Sequence, residues 1–288
     1  MEKLLVVNAD DFGLAPGINA GIIEGFEKGI LTSTSIMVNA PAFEEAVRLA
    51  QAHGGLGIGV HLNVLRGKAV LPPEEIPGLV DADGQFVRSP ISLCCDILRK
   101  RVDLDHLTSE FSAQIELAIE TGLRLTHLNS EKHVHMYPPI FARVVKLAEK
   151  YGIRAVRWTG QYPGAQDLLR LNHRSYKDLL VSLCAKLCRK PLDGSAVIVN
   201  DYFYGLVETG SLTAEAFRAI LPRLEDGVTE IMCHPGYVGP DLQHAFQTMG
   251  TSSLVASRAL ELQTITDPDL RASIDAVGAR LIHYGDIQ

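Results

Sequence analysis

Short apolar runs alternate with amphipathic stretches along the whole chain. The runs have the length of strands that are buried on both faces, roughly four to eight residues. The stretches between them carry apolar side chains at helical spacing, as in the segment Pro41–Ala52. The alternation therefore predicts repeated strand–helix units and a parallel sheet. The predicted strands are Leu4–Asn8, Ser33–Asn39, Gly57–Asn63, Leu125–Asn129, Ile153–Trp158, Ala196–Asn200, Thr229–His234 and Arg280–Tyr284.

The number of repeats and the turn after the first strand predict which α/β fold this is. Seven or eight repeats without a GxGxxG turn favour a TIM-like barrel over an open dinucleotide-binding sheet. We expect one domain over residues 1–288, with insertions at 64–105 and 159–195. Both insertions follow predicted strands, so they are expected to rise from the catalytic face as long loops. They form either the walls of a substrate cleft or plain surface excursions.

Composition and charge narrow the possible partners. The 288 residues include 27 Lys and Arg against 34 Asp and Glu, a net charge of −7, which disfavours a protein that binds the phosphate backbone of nucleic acid. The apolar run at the amino end is shorter than the core of a signal peptide, and no stretch approaches the roughly 20 apolar residues of a membrane span. Five cysteines without a paired framework fit a reducing compartment. These features predict a cytoplasmic protein.

Four of the predicted strands end in side chains that can do chemistry. The first ends in NADDFG, the third in GVHLN, the fourth in HLNSEKHVH and the seventh in CHPG. In a barrel of this kind the carboxyl ends of the strands meet on the face that carries the active site. We therefore expect the acidic and histidine side chains of these four motifs to converge at one site.

The adjacent carboxylates of the first motif point to a metal ion. Neighbouring residues of a strand point in different directions, and two like charges this close repel unless a cation or hydrogen bonds separate their tasks. One carboxylate can bind a divalent ion while the other accepts a proton from water activated by that ion. The alternative is that Asp10 and Asp11 cap the helix that follows. His61 is in turn either a ligand of the same ion or a histidine of the core.

The fourth and seventh motifs supply further histidines. The fourth motif has three histidines and one glutamate within nine residues, so one is expected to bind the ion and the others to orient it or the substrate. His234 precedes a Pro-Gly turn and suits a general acid. Cys233 is a rival nucleophile, but it lies within the strand and is expected to point away from the site.

Five motifs in order, NADDFG, GVHLN, THLNSEKHVHMYP, AVRW and EIMCHPGY, resemble the YdjC-like (ChbG/HpnK) family of carbohydrate deacetylases over nearly the whole chain. The resemblance implies a distorted βα barrel, a bound divalent metal ion and hydrolysis of an N-acetyl group from an amino sugar. The segment VLPPEEIPGLVDADGQF and Asn129 are more similar to the HpnK branch, which is associated with hopanoid biosynthesis. Members of the family commonly form dimers, so the resemblance allows a homodimer.

The resemblance also implies roles for individual residues. Asp10 corresponds to the general base of the family, and Asp11 and His61 correspond to its first and second metal ligands. His234 is the expected acid. Arg157, at the end of the fifth predicted strand, matches an arginine near the site, where it holds the base ionised, binds a substrate oxygen or forms a salt bridge at the end of the barrel.

Glu131 departs from the family pattern, which has a histidine ligand at this position. Glu131 can complete an Asp-His-Glu set, and its oxygen would move the preference from Zn toward Mn, Mg or Fe. Alternatively, His133 is the third ligand. A third reading is that metal binding is impaired and the protein is weakly active or a sugar-binding homologue without catalysis. The sequence leaves these three alternatives open, as it does the identity of the metal among Mg, Zn and Mn.

Two other enzyme classes compete with a deacetylase. A metal-dependent hydrolase of phosphoesters or cyclic amides is one, but a phosphate substrate calls for Lys or Arg at the strand ends, and only Arg66, Lys132 and Arg157 qualify. A glycoside hydrolase is the other, and it would release a reducing sugar instead of acetate. We expect the partner to be an N-acetylated amino sugar, with no nucleic acid and no membrane span.

Overall fold

The computed structural model describes residues 2–160, 184–185, 187–250 and 254–287. Eight strands in this part of the chain form one curled sheet in which every pairing between strands is parallel, so the predicted α/β barrel-like fold is confirmed. The order across the sheet is β5-β4-β3-β2-β1-β7-β6, and β8 pairs with the first residues of β1. The strands are β1 (Lys3–Phe12), β2 (Ser33–Ile36), β3 (Gly57–Leu62), β4 (Leu125–Ser130), β5 (Ala155–Val156), β6 (Tyr202–Tyr204), β7 (Gly227–Cys233) and β8 (Ala279–Leu281).

Helices connect most of these strands. Their apolar side chains face the core at helical spacing, and α2, for example, buries Phe43, Ala46, Val47 and Ala50 as the sequence predicts. None of the helices in the described residues is both long and apolar enough to cross a membrane. The helices are α1 (Pro16–Lys28), α2 (Phe43–Ala52), α3 (Pro90–Leu98), α4 (Leu104–Glu120), α5 (Pro138–Tyr151), α6 (Ala214–Ile220), α7 (Pro240–Met249), α8 (Arg258–Ile265) and α9 (Pro268–Ala276).

The sixth strand differs from its prediction. Residues 196–200 were expected to form it, but the strand that pairs with β7 is Tyr202–Tyr204. Ile198 makes only an isolated parallel bridge, to Ala155 of β5. The side chain of Asn200 explains the break, because its amide accepts a hydrogen bond from the backbone nitrogen of Trp158 and donates one to the Trp158 carbonyl. A side chain thus takes the place of a backbone partner where the two ends of the sheet meet.

The connection after β3 is fastened to α4. Gln114 of α4 binds both the backbone nitrogen and the carbonyl of Asn63, and Glu110 accepts hydrogen bonds from the backbone nitrogens of Val70 and Leu71. The first predicted insertion, 64–105, is therefore held against the barrel, and it contains α3. Most of the second, 159–195, lies outside the described residues.

The close approach of β3 and β4 gives a test of the fold. A Cβ atom on Gly59 would lie 2.4 Å from Cε1 of His127, whose ring stacks on Tyr284 with 4.1 Å between ring centroids. Because this ring is buried and held, we expect Gly59→Ala to lower the free energy of unfolding by about 1–3 kcal/mol, as overpacking does elsewhere. Urea unfolding followed by circular dichroism measures the loss. Gly54→Ala is the control, since nothing lies within 4 Å of its Cβ position, and equal stabilities of the two variants would contradict the prediction.

Candidate functional site

A bulge at the end of β1 presents two adjacent carboxylates to one site. The register between β1 and β2 shifts between Ala9 and Phe12, and Asp11 lies in the left-handed region with φ of 73°. Bulges re-aim side chains, and a left-handed residue other than glycine is strained, which is common at functional sites. Asp10 and Asp11 consequently contact different partners, although they are neighbours in the sequence.

Asp10 is buried and held by hydrogen bonds on both carboxylate oxygens. Arg157 donates from Nη1 to Oδ2 and from Nη2 to Oδ1, both at 2.7 Å. Ser35 and Asn129 donate further hydrogen bonds to Oδ1, at 3.0 and 3.1 Å. Burial alone would raise the pKa of Asp10, but the charge and hydrogen bonds of Arg157, together with smaller contributions from the other neighbours, hold the pKa well below its usual range. Asp10 is therefore ionised and fixed in one orientation.

Arg157 is itself placed by a second buried carboxylate. It is fully buried, and its Nη2 lies 2.6 Å from Oε1 of Glu230 in β7. Tyr284 donates a hydrogen bond to the other oxygen of Glu230. Burial raises the pKa of Glu230, while the charge of Arg157 opposes that rise. Arg157 thus forms buried ion pairs with both Asp10 and Glu230, and its role in holding Asp10 ionised stays a prediction.

Asp11, His61 and Glu131 form a second cluster beside the first. Each offers one donor atom, and these atoms all lie within 4.8 Å of one another. His61 Nε2 is 3.9 Å from Asp11 Oδ1 and 3.4 Å from Glu131 Oε2. All three side chains are buried, so water does not satisfy their charges. One imidazole nitrogen and two carboxylate oxygens form a donor set that divalent transition metals accept.

Hydrogen bonds on the far side of the ring orient His61 toward this cluster. His61 and Asn129 are paired across β3 and β4, and Nδ1 of the ring lies 2.8 Å from the amide oxygen of Asn129. The Asn129 amide nitrogen donates to Asp10, an acceptor, so the amide oxygen must face the ring and Nδ1 must carry the proton. Nε2 then faces Asp11 and Glu131, which is how metal-binding histidines are usually oriented. Burial lowers the pKa of His61, but the charges of Asp10, Glu131 and Asp11 and the hydrogen bond with Glu131 together raise it, so binding an ion through Nε2 would release any proton held there. The cluster therefore fits a divalent ion.

Two guanidinium groups compensate the charge of this cluster. Nη2 of Arg66 lies 3.0 Å from Asp11 Oδ1 and 3.0 Å from Glu131 Oε2. Arg258 of α8 donates to the other oxygen of Asp11. Burial alone would raise the pKa values of both carboxylates, but the charges of Arg258 and Arg66 lower that of Asp11 and the charge of Arg66 lowers that of Glu131.

His133 lies apart from the cluster. Lys132 and His133 both adopt left-handed backbone conformations, with φ of 49° and 55°, so the chain turns away directly after Glu131. The His133 ring contacts Phe203 edge to face, with 5.9 Å between centroids, and it is not part of the three-residue donor group. Of the two candidates for a third ligand, the geometry favours Glu131.

His234 sits next to Asp10 at the end of β7. Ala9 of β1 pairs with Cys233, so the next residues, Asp10 and His234, extend side by side from neighbouring strands. Glu261 of α8 accepts the backbone N–H of His234 at 2.6 Å, and its Oε2 is 3.9 Å from Nδ1 of the ring. Cys233 is buried, and burial raises the pKa of its thiol well above the usual value, which does not suit a nucleophile.

The structure thus brings together most of the residues singled out from the sequence: Asp10, Asp11, His61, Glu131, Arg157 and His234. Their roles in binding and catalysis stay predictions. Sequence reasoning missed Glu230, Glu261 and Arg258, and it considered Arg66 only as a phosphate contact. Arg258 and Glu261 are three residues apart and both buried on α8, a spacing that puts two charges on the inner face of an otherwise ordinary helix. That pair was the one signal available in the sequence.

Comparison with known proteins agrees with the resemblance. A family model described as YdjC-like protein matches residues 4–276. A carbohydrate deacetylase from Geobacillus stearothermophilus is 34% identical over 287 residues, covering 99% of this chain and 98% of the relative. A second, from Thermoanaerobacter pseudethanolicus, is 33% identical and covers 98% of both chains. A crystal structure of an Enterococcus faecalis protein named for cellobiose-phosphate cleavage superimposes with a TM-score of 0.79 at 27% identity, covering 99% of this chain and 98% of that one. The chain belongs to the YdjC-like family.

Proposed function

We propose that this protein is a divalent-metal-dependent carbohydrate deacetylase that removes the N-acetyl group from an amino sugar. The observation that carries the proposal is the convergence of Asp11, His61 and Glu131 next to Asp10 and His234. Two relatives named carbohydrate deacetylase match the chain over nearly its whole length, which supports the same reaction class. The few basic side chains at this face are paired with carboxylates, which disfavours a phosphoester substrate.

Asp11, His61 and Glu131 would hold the metal ion. When bound, a divalent ion there supplies Lewis acidity for the acetamide carbonyl and lowers the pKa of water. Asn129 keeps Nε2 of His61 directed at the carboxylates, so the donor set is formed before an ion arrives. Two anionic oxygen donors and one nitrogen favour Mn²⁺ more than a set with two histidines would, although Zn²⁺ also accepts such ligands.

Asp10 is the proposed proton acceptor. Water attacks the carbonyl carbon and gives its proton to the ionised carboxylate of Asp10, which Arg157 fixes in place. The low pKa of Asp10 makes it a weak base, so the proposed proton transfer would depend on the acidity that a bound ion supplies to water. Glu230 shares the charge of Arg157, which keeps Asp10 from being fully neutralised by its partner.

His234 is the proposed proton donor. The carbon–nitrogen bond breaks only if the departing nitrogen receives a proton, because an amide anion is a very poor leaving group. His234 lies beside Asp10, and Oε2 of Glu261 is 3.9 Å from Nδ1 of its ring. The products are acetate and a free amino sugar, so one water molecule is consumed for each bond cleaved.

We further propose that the amino sugar belongs to a glycan or to a glycolipid, and the exposed side chains of the 64–105 connection favour the glycolipid. Val87, Ile91 and Leu98 on this connection are 62%, 67% and 72% exposed, large values for apolar side chains. The same connection carries the segment that resembles the HpnK branch. Acetate release from an N-acetylglucosaminyl lipid, compared with a soluble chitooligosaccharide, tests the choice. The cytoplasmic location, the homodimer and a single domain over residues 1–288 stay predictions.

Metal removal tests the cofactor. Dialysis against a chelator should abolish acetate release from N-acetylated amino sugars, and Mn²⁺ or Zn²⁺ should restore it, because the proposed reaction needs a Lewis acid. Acetate is measured enzymatically, and reducing sugar is measured in parallel. Acetate release that persists in protein shown by elemental analysis to be metal-free would contradict the metal requirement. Reducing sugar without acetate would instead indicate a glycoside hydrolase.

Replacing the proposed base tests Asp10. Asp10→Asn keeps the shape of the side chain but removes the proton acceptor, so we expect kcat to fall by roughly 10²–10⁴ with little change in metal content. Asp96→Asn is the matched control, because Asp96 pairs with Arg88 on the connection and not at the site. An Asp10→Asn variant with unchanged kcat would exclude Asp10 as the base.

The role of His234 as the acid can be tested by comparing substrates whose leaving groups differ in their need for a proton. His234→Gln should slow hydrolysis of an N-acetyl amide by roughly 10²–10⁴, but it should slow hydrolysis of 4-nitrophenyl acetate far less, because that leaving group needs no proton. Asp10→Asn should slow both substrates. His244→Gln, at an exposed position of α7, is the control. Equal losses of His234→Gln on amide and ester would show that His234 is not the acid.

A further inference from the structure

Arg66 places a positive charge at the centre of the proposed metal site. Its Nη2 atom is 3.0 Å from Asp11 Oδ1 and 3.0 Å from Glu131 Oε2. These are the two oxygens that also lie nearest to Nε2 of His61, at 3.9 and 3.4 Å. The side chain of Arg66 is only 10% exposed, so the contact is shielded from water.

The hydrogen bonds of Arg66 differ from those of an ordinary arginine–carboxylate pair. Arginine usually binds one carboxylate through two nitrogens, as Arg157 binds Asp10 in this same site. In Arg66 a single nitrogen bridges two carboxylates, and Nε has no hydrogen-bond partner among the described residues. Asp11 and Glu131, the two carboxylates it contacts, belong to the group that would hold a metal ion.

We propose that Arg66 is the resident cation of this site and that a divalent ion binds by displacing it. This inference rests on the proposed function, because it assigns the same three donors to the ion. The Nη2 atom and an ion cannot share the space between the two oxygens, since both are positive and both need those lone pairs. The guanidinium therefore competes with the metal, and the affinity of the site for the metal is lowered by the strength of the Arg66 contacts.

The backbone around Arg66 allows its side chain to move without the loop. Asn63 accepts hydrogen bonds from the backbone nitrogens of Leu65 and Arg66 and donates to the Arg66 carbonyl, and Asn39 also donates to that carbonyl. The guanidinium is held by the two carboxylates and by a 3.8 Å contact with the sulfur of Met37. Displacement thus requires rotation of one flexible side chain, while the turn that carries it stays fixed.

Arg66→Met gives the test, because the two consequences of the proposal have opposite signs. Without the guanidinium, Asp11 and Glu131 repel each other, so the metal-free variant should unfold at a lower temperature than the metal-free wild type. The same variant should bind Mn²⁺ and Zn²⁺ at least roughly 10- to 100-fold more tightly, which is the contribution of one hydrogen bond to a charged group. Isothermal titration calorimetry measures the affinity, and differential scanning calorimetry of chelator-treated protein measures the stability.

Two variants and one control make the result specific. Arg66→Lys keeps a positive charge on a side chain that is shorter and lacks the guanidinium group. Its affinity for the metal ion should lie between those of the wild type and Arg66→Met. Adding Asp11→Asn to Arg66→Met should remove the gain, which locates the bound ion. Arg88→Met is the control, because Arg88 pairs with Asp96 on the same connection, and it should lower stability without changing metal affinity.

The outcomes separate this inference from the proposed function. If Arg66→Met binds both ions no more tightly than wild type, or if stability and affinity fall together, Arg66 is a structural residue and the inference is wrong. Deacetylation by the wild-type enzyme with added metal would still support the proposed function in that case. If Arg66→Met binds metal more tightly and neither protein releases acetate, the competition stands and the proposed function fails.

Discussion

Buried charge is the constraint on which the rest of this structure depends. Five carboxylates and three guanidinium groups form one linked set in the strands, the connections and α8, with little contact with water. Moving one such ion out of water costs several kcal/mol, so each needs a partner of opposite charge or several hydrogen bonds. A barrel that buries these groups together is stable only if they meet in the right pairs. The groups are Asp10, Asp11, Glu131, Glu230, Glu261, Arg66, Arg157 and Arg258.

The need to pair each buried charge explains why the site is built from segments that are distant in the sequence. Asp10 and Asp11 leave the same bulge in β1, yet the first is compensated from the segment after β5 and the second from α8 and from the connection after β3. Each of these elements is therefore tied to β1 by a buried ion pair as well as by packing. Because breaking a buried pair leaves an uncompensated charge, the loss of one partner is strongly destabilising. The geometry of the candidate site and the stability of the fold thus rest on the same contacts.

The sequence predicts this arrangement only in part, for a physical reason. Strand periodicity placed the strand ends, and a barrel brings those ends together, so Asp10, His61 and His234 could be found from their positions alone. The charged residues that pair with these side chains do not all lie at strand ends, so their positions cannot be predicted in the same way. Glu230 lies in the middle of β7, where a buried apolar residue is the default, and Arg258 reaches Asp11 across 247 residues of sequence. The sixth strand was misplaced for a related reason, because the Asn200 side chain replaces backbone pairing, which periodicity does not detect.

Glu131 and Arg66 are best understood as one feature. A histidine at position 131 would be a neutral ligand and would hold a guanidinium weakly, whereas a carboxylate attracts any cation, including one that the protein itself supplies. Glu131 therefore strengthens the binding of both competing cations, the Arg66 guanidinium and a divalent ion. Exchange of Arg66 for a divalent ion adds one unit of positive charge to a group in which carboxylates outnumber guanidinium groups by two, so the exchange improves the balance. Under the proposed exchange, a glutamate where the family resemblance implies a histidine changes what an ion would have to displace, and it leaves intact the donor group that would hold the ion.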